Sequence, residues 1–410
     1  MNKHHPDFLI RHDEWSDLGR FHDLPKINVE RMNTYRQTRL KQMLKEYEVD
    51  LLVLVSPVSL RYAMNYRNYA LFSSHIPCTY LFVSVEGPLA LHNALAHEID
   101  AEFKRPGRPI AHFYGGDDLA SYAELLTDDI AAYMAEIGCS GRRIGLEYVN
   151  PSITQALESK GFEVCDGVVL SERARLIKSE DELECIRWAM RVAEHGADKV
   201  KEALQPGVTE LQLWGLLNYT NLANDGDWHD GRMLASGERI NPWLQEASSR
   251  VIQDGDLVGF DTDMVGPFGY FADLSRTFHC GPSSPTARQK ELYQLAKAEI
   301  DHNLDLIKGG IRFSEILERA YPVPKEYQTN AYTCVIHGVG MCDEYPHLHP
   351  TFRGPSYYED ELVAGMVICV ESYMGAEGER DGVKLEQQVL VTETGYELIT
   401  QYPYEDTLLS

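Results

Sequence analysis

The sequence predicts an α+β protein in two domains, a smaller α/β domain over residues 1–170 and a larger α+β domain over residues 171–410. Three observations carry that reading. A chain of 410 residues exceeds what one ordinary hydrophobic core organises. The first 170 residues alternate helical and strand patterns in the manner of an α/β module. From residue 256 onward strand patterns dominate, and several carry acidic residues within apolar runs.

Taken in order, residues 30–48 read as a helix that ends before the apolar run Val49–Val55, bounded as a strand by Ser56-Pro57. Thr79–Val85 is a second strand, stopped by Glu86-Gly87-Pro88. Residues 118–137 have a helical pattern, and Arg143–Glu147 resembles another strand. The domain boundary falls near Ser171–Lys178. Ser179 with Glu182 forms a capping-box pattern ahead of Leu183, Ile186, Met190, Ala193 and Ala197, so a helix begins there and stops near Gln205-Pro206-Gly207. Thr209 with Gln212 opens another. The pattern then predicts strands over 257–261, 269–271, 275–279, 332–337, 366–371 and 383–392.

Composition excludes several functions. Apolar content of 44% and charged content of 25% belong to a globular protein. A net charge of −25 argues against nucleic acid as a partner, because that demands clustered Lys and Arg. No stretch approaches the roughly 20 apolar residues of a membrane span. The start, MNKHHPDFLIRHDEW, lacks the apolar segment of a secretory signal. Eight scattered cysteines without a Cys-x-x-Cys pair favour reduced thiols, and the expectation is a cytoplasmic protein.

The chemistry is carried by acids inside strands. Asp261 and Asp263 close the run Leu257–Phe260, and alternate residues of a strand share a face. Asp273 lies between Ala272 and Leu274, Glu371 follows Met366–Val370, and Glu386 follows Leu385. Buried carboxylates are expensive unless a cation answers them. Five of them outnumber the nearby Lys and Arg. With the imidazole of His337, hard oxygen ligands point to one or two divalent metal ions, with Mn, Fe, Zn and Co all suited.

The order Asp, Asp, His, Glu, Glu, with Gly-Tyr-x-x-Asp-x-Ser-Arg-Thr-Phe at 269–278, His-Gly-Val-Gly at 337–340 and Val-Lys-Leu-Glu at 383–386, resembles the pita-bread metalloenzyme family of methionine aminopeptidase, prolidase and creatinase. Arg175-Leu-Ile-Lys-Ser and Gln205-Pro-Gly-Val-Thr-Glu extend the resemblance, and Arg61-Tyr62-Ala63 looks like a creatinase-type amino-terminal domain. The resemblance implies a homodimer in which one subunit's first domain helps cover the other's site.

Three departures from the peptidases stand out. Asp261-Thr262-Asp263 replaces Asp-x-Gly, so an extra carboxylate can reach the metals. Asp343, in Cys342-Asp343-Glu344-Tyr345-Pro346, stands where a peptidase places a His that handles the scissile group. Pro242-Trp243 replaces Pro-His. Together they look like the family's dimethylsulfoniopropionate (DMSP) lyase branch, which makes dimethyl sulfide and acrylate. That likeness implies catalytic Asp343 and Tyr332, iron as the favoured metal, and aromatic contacts from Phe72 and Trp243 to a sulfonium head; the branch carries Trp where this chain has Phe72. The alternative is a metallohydrolase of the Xaa-Pro peptidase or creatinase type, acting on a small amide or dipeptide. A non-catalytic binding module is a third reading, which intact metal ligands disfavour. The plain structural roles are a turn cap for Asp343 and core packing for Tyr332, Trp243 and Phe72.

Overall fold

The computed structural model describes residues 25–67, 70–93, 102–105, 119–356 and 358–410, so the polar amino-terminal segment read above lies outside the described residues. The chain divides into two units, Asn28–Arg175 and Leu176–Ser410. The division follows the helix Gly167–Arg175.

In the first unit, Asn28 caps the helix Val29–Glu46 by accepting from the Arg31 amide at 3.0 Å. Five strands follow: β1 (Leu51–Leu54), β2 (Tyr80–Ser84), β3 (Ala90–His92), β4 (Arg143–Leu146) and β5 (Glu163–Asp166). They form one sheet in the order β3-β2-β1-β4-β5, parallel from β1 to β5 and antiparallel at β2 and β3. Every residue of β1 and β2 is buried, which is why their sequences are continuous apolar runs rather than alternating ones. Leu126 and Ile130 of the helix Leu119–Glu136 and Ile153 and Leu157 of Pro151–Ser159 complete this core.

In the second unit both expected capping boxes form. Ser179 opens the helix Glu180–Ala203 and Thr209 opens Glu210–Ala223, each with its Glu or Gln reaching back to the cap amide. Short strands β6 (Trp228–His229), β7 (Leu234–Ser236), β8 (Leu257–Asp261), β9 (Met264–Val265), β10 (Phe271–Ala272) and β11 (Ser275–His279) build two three-stranded sheets, β10-β9-β6 and β11-β8-β7. β12 (Ile336–Val339), β13 (Asp343–Leu348), β14 (Val367–Met374), β15 (Val383–Val391) and β16 (Tyr396–Leu398) form an antiparallel five-stranded sheet ordered β13-β12-β14-β15-β16. No helix among the described residues is long and apolar enough to cross a membrane.

The structure corrects three expectations. The strand read over 269–271 is a 3-10 turn, Pro267–Gly269, leading into β10, with Phe268 in the left-handed region at φ 63°. The strand read over 332–337 begins only at Ile336, where pairing to β14 starts, so Tyr332 lies ahead of it. Strands dominate after residue 256 as read, but the reading left out the helices that interrupt them. An 18-residue helix, Ala287–Leu304, opens on a third capping box, Thr286 with Gln289, and the helix Phe313–Arg319 follows it.

Candidate metal centre

The β-sheet registers decide which acids meet. On the long hairpin β14–β15, Glu371 stands directly opposite Glu386. On the neighbouring pair, His337 of β12 stands opposite Cys369 of β14. The β8–β11 pair ends with Asp261 opposite Ser275. Thr262 then ties the two acidic segments together: its hydroxyl donates to the Ala272 carbonyl at 2.8 Å and accepts from the Leu274 amide at 3.0 Å. The Gln388 side-chain oxygen accepts from the Asp273 amide at 2.9 Å and holds that residue toward the large sheet. Asp263 leaves the strand with a positive φ of 35°.

These constraints assemble two adjoining groups of metal-ligand character that share Asp273. One is Asp273, His337, Cys369 and Glu386; the other is Asp261, Asp263 and Asp273, with ligand atoms in each group within 4.8 Å of one another. His337 Nε2 lies 3.2 Å from Glu371, 3.6 Å from Glu386 and 3.8 Å from Asp273. All six expected ligands therefore lie in one neighbourhood. Asp261 Oδ1, Asp273 Oδ1 and Glu386 Oε1 are buried there with no hydrogen-bond partner. Orphaned carboxylate oxygens beside an imidazole are the donor set that a divalent cation satisfies, so these residues fit a metal.

Charge crowding is evident in the proton affinities. Burial, and then the neighbouring carboxylates, push Asp263 and Asp273 well above the usual carboxylate range. The same causes raise Glu371 to about 8. Burial also pushes on Glu386, but the Lys384 ammonium and His337 outweigh it and hold that carboxyl low.

Lys384 was not anticipated as a site residue. It is fully buried, with Nζ 3.1 Å from Asp261 and 3.6 Å from Glu386, in contact with Glu371, and donating to Ser275 Oγ at 2.7 Å. The period of two along β15 puts it on the face of Glu386, and that was the available signal. Its ammonium also sits 4.4 Å from the ring centroid of Tyr332. Tyr332 thus stands beside the acids rather than deep in the core. Burial and then Glu371 and Asp261 raise its phenol well above the ordinary value, which keeps it protonated and able to donate.

Asp343 opens β13 with Oδ1 3.3 Å from His337 Nδ1, and 63% of its side chain is exposed. Its pKa is raised, first by desolvation and against the pull of His337, with Glu386 and Glu344 adding to it. Given its exposure, repulsion by the acids is the cause that fits the geometry best. The two aromatic residues expected at a substrate belong to different units. Trp243 is a core residue, 5% exposed, stacked on Tyr373 at 6.1 Å and packed over Gly259. Phe72 belongs to the first unit, on the helix Ala70–His75, where it is 43% exposed. His347 and His349 are exposed.

Comparison with known proteins places this geometry. The profile of metallopeptidase family M24 matches residues 184–393, a span that contains every candidate ligand. A dimethylsulfoniopropionate lyase DddP of Roseovarius nubinhibens is 33% identical over 408 residues, covering 97% of this chain and 91% of that protein. This chain belongs to metallopeptidase family M24. A second DddP, from Roseobacter denitrificans, is 31% identical over 94% of this chain and 89% of its own length. An Xaa-Pro dipeptidase of Pyrococcus furiosus is 25% identical over 89% of this chain and 97% of its own. Among solved structures, an Xaa-Pro dipeptidase from Bacillus anthracis superposes with a TM-score of 0.71 at 23% identity, covering 91% of this chain and 99% of that one. That likeness establishes the pita-bread fold expected from the motifs.

Proposed function

We propose that this M24 chain is a metal-dependent carbon–sulfur lyase that cleaves DMSP to dimethyl sulfide and acrylate. One observation carries the reading: Asp343, an exposed carboxylate, lies 3.3 Å from Nδ1 of the His337 imidazole and close enough to Asp263 and Asp273 to repel them, so a free carboxylate is available as a base at the edge of the metal centre. The two DddP relatives, similar along almost the whole chain, support it. We assign Asp261, Asp263, Asp273, His337, Glu371 and Glu386 as the ligands of two divalent ions, iron being favoured, in a cytoplasmic homodimer. Phe72 is proposed to meet the substrate's sulfonium head; Trp243 lies in the core.

The elimination needs little else. The bound metal would neutralise the substrate carboxylate and the charge that builds on it. Asp343 takes the proton from the carbon next to that carboxylate. The freed electron pair forms the double bond of acrylate as the carbon–sulfur bond breaks, and its electrons leave on neutral dimethyl sulfide. Tyr332, held protonated, donates to the substrate carboxylate and orients it. Lys384 balances the acids from behind.

The dipeptidase relatives support a hydrolase as the second reading. The two are separated by incubating one preparation with DMSP and with prolyl dipeptides. Headspace dimethyl sulfide without amine release is the expected result. Free amine with no dimethyl sulfide overturns the lyase proposal.

A further inference from the structure

We infer that Cys369 supplies a sulfur donor to the metal centre, making one position a mixed Asp273–His337–Cys369–Glu386 site that selects a thiophilic ion. This deepens the metal-centre reading above and rests on it. Cys369 is fully buried in β14, opposite His337 on β12 and Gln388 on β15. That register lines up three side chains across the sheet, and the Cys369 sulfur lies within 4.8 Å of ligand atoms of Asp273, His337 and Glu386. Independently of the sulfur, Asp273 Oδ1 and Glu386 Oε1 are buried in the same place without a hydrogen-bond partner.

A buried cysteine usually acts as a small hydrophobe. Cys185, Cys280 and Cys334 are also buried, yet none falls in a ligand group among the described residues. What sets Cys369 apart is its company, two orphaned carboxylate oxygens and an imidazole. Carboxylate and imidazole donors hold manganese, iron and zinc alike, whereas a thiolate shifts preference toward iron(II), cobalt(II), zinc and cadmium and away from manganese and magnesium. As the metal–sulfur bond forms, the thiol proton is released to solvent, so charge and atoms balance.

The test loads the metal-stripped full-length protein with cobalt(II) and reads its absorption. The parent should show cobalt d–d bands together with a near-ultraviolet sulfur-to-cobalt charge-transfer band. Cys369→Ser and Cys369→Ala should lose the charge-transfer band while keeping d–d bands, and Cys334→Ser should keep both. Competition titrations should show cadmium affinity falling at least about tenfold in Cys369→Ser, with manganese affinity little changed. Cobalt bound by the parent without a charge-transfer band overturns the sulfur ligand and leaves the metal centre standing. A band that persists in both Cys369 variants overturns it too. A parent that takes up no cobalt, zinc or manganese defeats the metal centre itself, and the inference with it. Because the parent spectrum alone can refute the assignment, a variant that fails to fold does not shield it.

Discussion

Glu147 of the first unit and the clustered acids of the second are all buried carboxylates, and their surroundings treat them in opposite ways. Glu147 of the first unit is 1% exposed, and four donors meet it: the amides of Val55 and Ser56 at 3.2 and 3.3 Å, and the hydroxyls of Ser59 and Ser171 at 2.6 and 2.7 Å. Asp261, Asp273 and Glu386 of the second unit are as deeply buried, yet each keeps an oxygen without a donor. A carboxylate whose oxygens are all answered by fixed donors is part of the scaffold. One left unanswered beside others of its kind raises the cost of folding, and a bound cation offsets that cost. Burial alone therefore does not mark a functional acid; unmet hydrogen-bonding capacity does.

The largest expected effect breaks this comparison at its centre. Asp273→Ala should abolish activity and empty the metal site while leaving the fold intact, because Asp273 belongs to both ligand groups. Glu147→Ala should do the reverse. It strands four donors, lowers stability by on the order of 3 kcal/mol, and leaves metal content unchanged. Elemental analysis and thermal melting of both variants decide the matter. Full metal occupancy in Asp273→Ala would show that orphaned oxygens do not report ligands here.

Next comes the acid that is neither orphaned nor fully buried. Asp343→Asn keeps shape but cannot accept a proton, so dimethyl sulfide release should fall by about 10²–10⁴-fold with metal retained. Near-parental release from a metal-replete variant would remove the base from the proposed mechanism. Catalysis through metal-bound hydroxide would be less sensitive to this position.

Lys384 gives a smaller, conditional effect. Its ammonium answers Asp261, Glu371 and Glu386 together. Lys384→Met should therefore destabilise the chelator-treated protein by about 3 kcal/mol. The loaded protein should lose less, since the metal takes over the counter-charge. Equal losses in the two forms would assign Lys384 a purely structural part.

How far the sequence reveals all this depends on the kind of signal. The capping boxes at Ser179 and Thr209 were legible because each is local, a hydroxyl answering an amide three residues on. The box at Thr286 has the same form and leads into Leu292, Tyr293, Ala296, Ile300 and Leu304 at helical spacing, but Gln289, Glu299 and Asn303 on the same buried face blur that stripe in the sequence. The ligand acids were legible because charge inside an apolar strand is costly. Lys384 was not singled out, since an isolated lysine in a strand ordinarily faces water, and its pairing becomes visible only when β15 is set against β14 and β8. Trp243 is read toward a substrate from its motif alone; that its ring stacks on Tyr373 and packs over Gly259 depends on partners distant in sequence.

The last comparison concerns a buried acid of a third kind, whose effect appears only as pH rises. Glu299, 7% exposed in the helix Ala287–Leu304, accepts from Ser372 Oγ at 2.6 Å, and burial pushes its carboxyl up to about 8. In the unfolded chain the same group titrates near the ordinary glutamate value of about 4.3. Between these two values the folded protein holds a proton that the unfolded chain has released. The folded state binds more protons there, so the slope of stability against pH is negative. The stabilisation is whole below about pH 4 and is lost as pH rises toward about 8. Glu299→Gln, permanently neutral, should match the parent at low pH, become the more stable of the two near pH 9, and flatten the pH dependence between. Melting curves across that range, at fixed metal loading, check it. Parallel curves for the two proteins would mean that Glu299 carries its charge in the folded state, as Glu386 does beside Lys384, and would remove the distinction between a neutral buried acid and one held ionised by a cation.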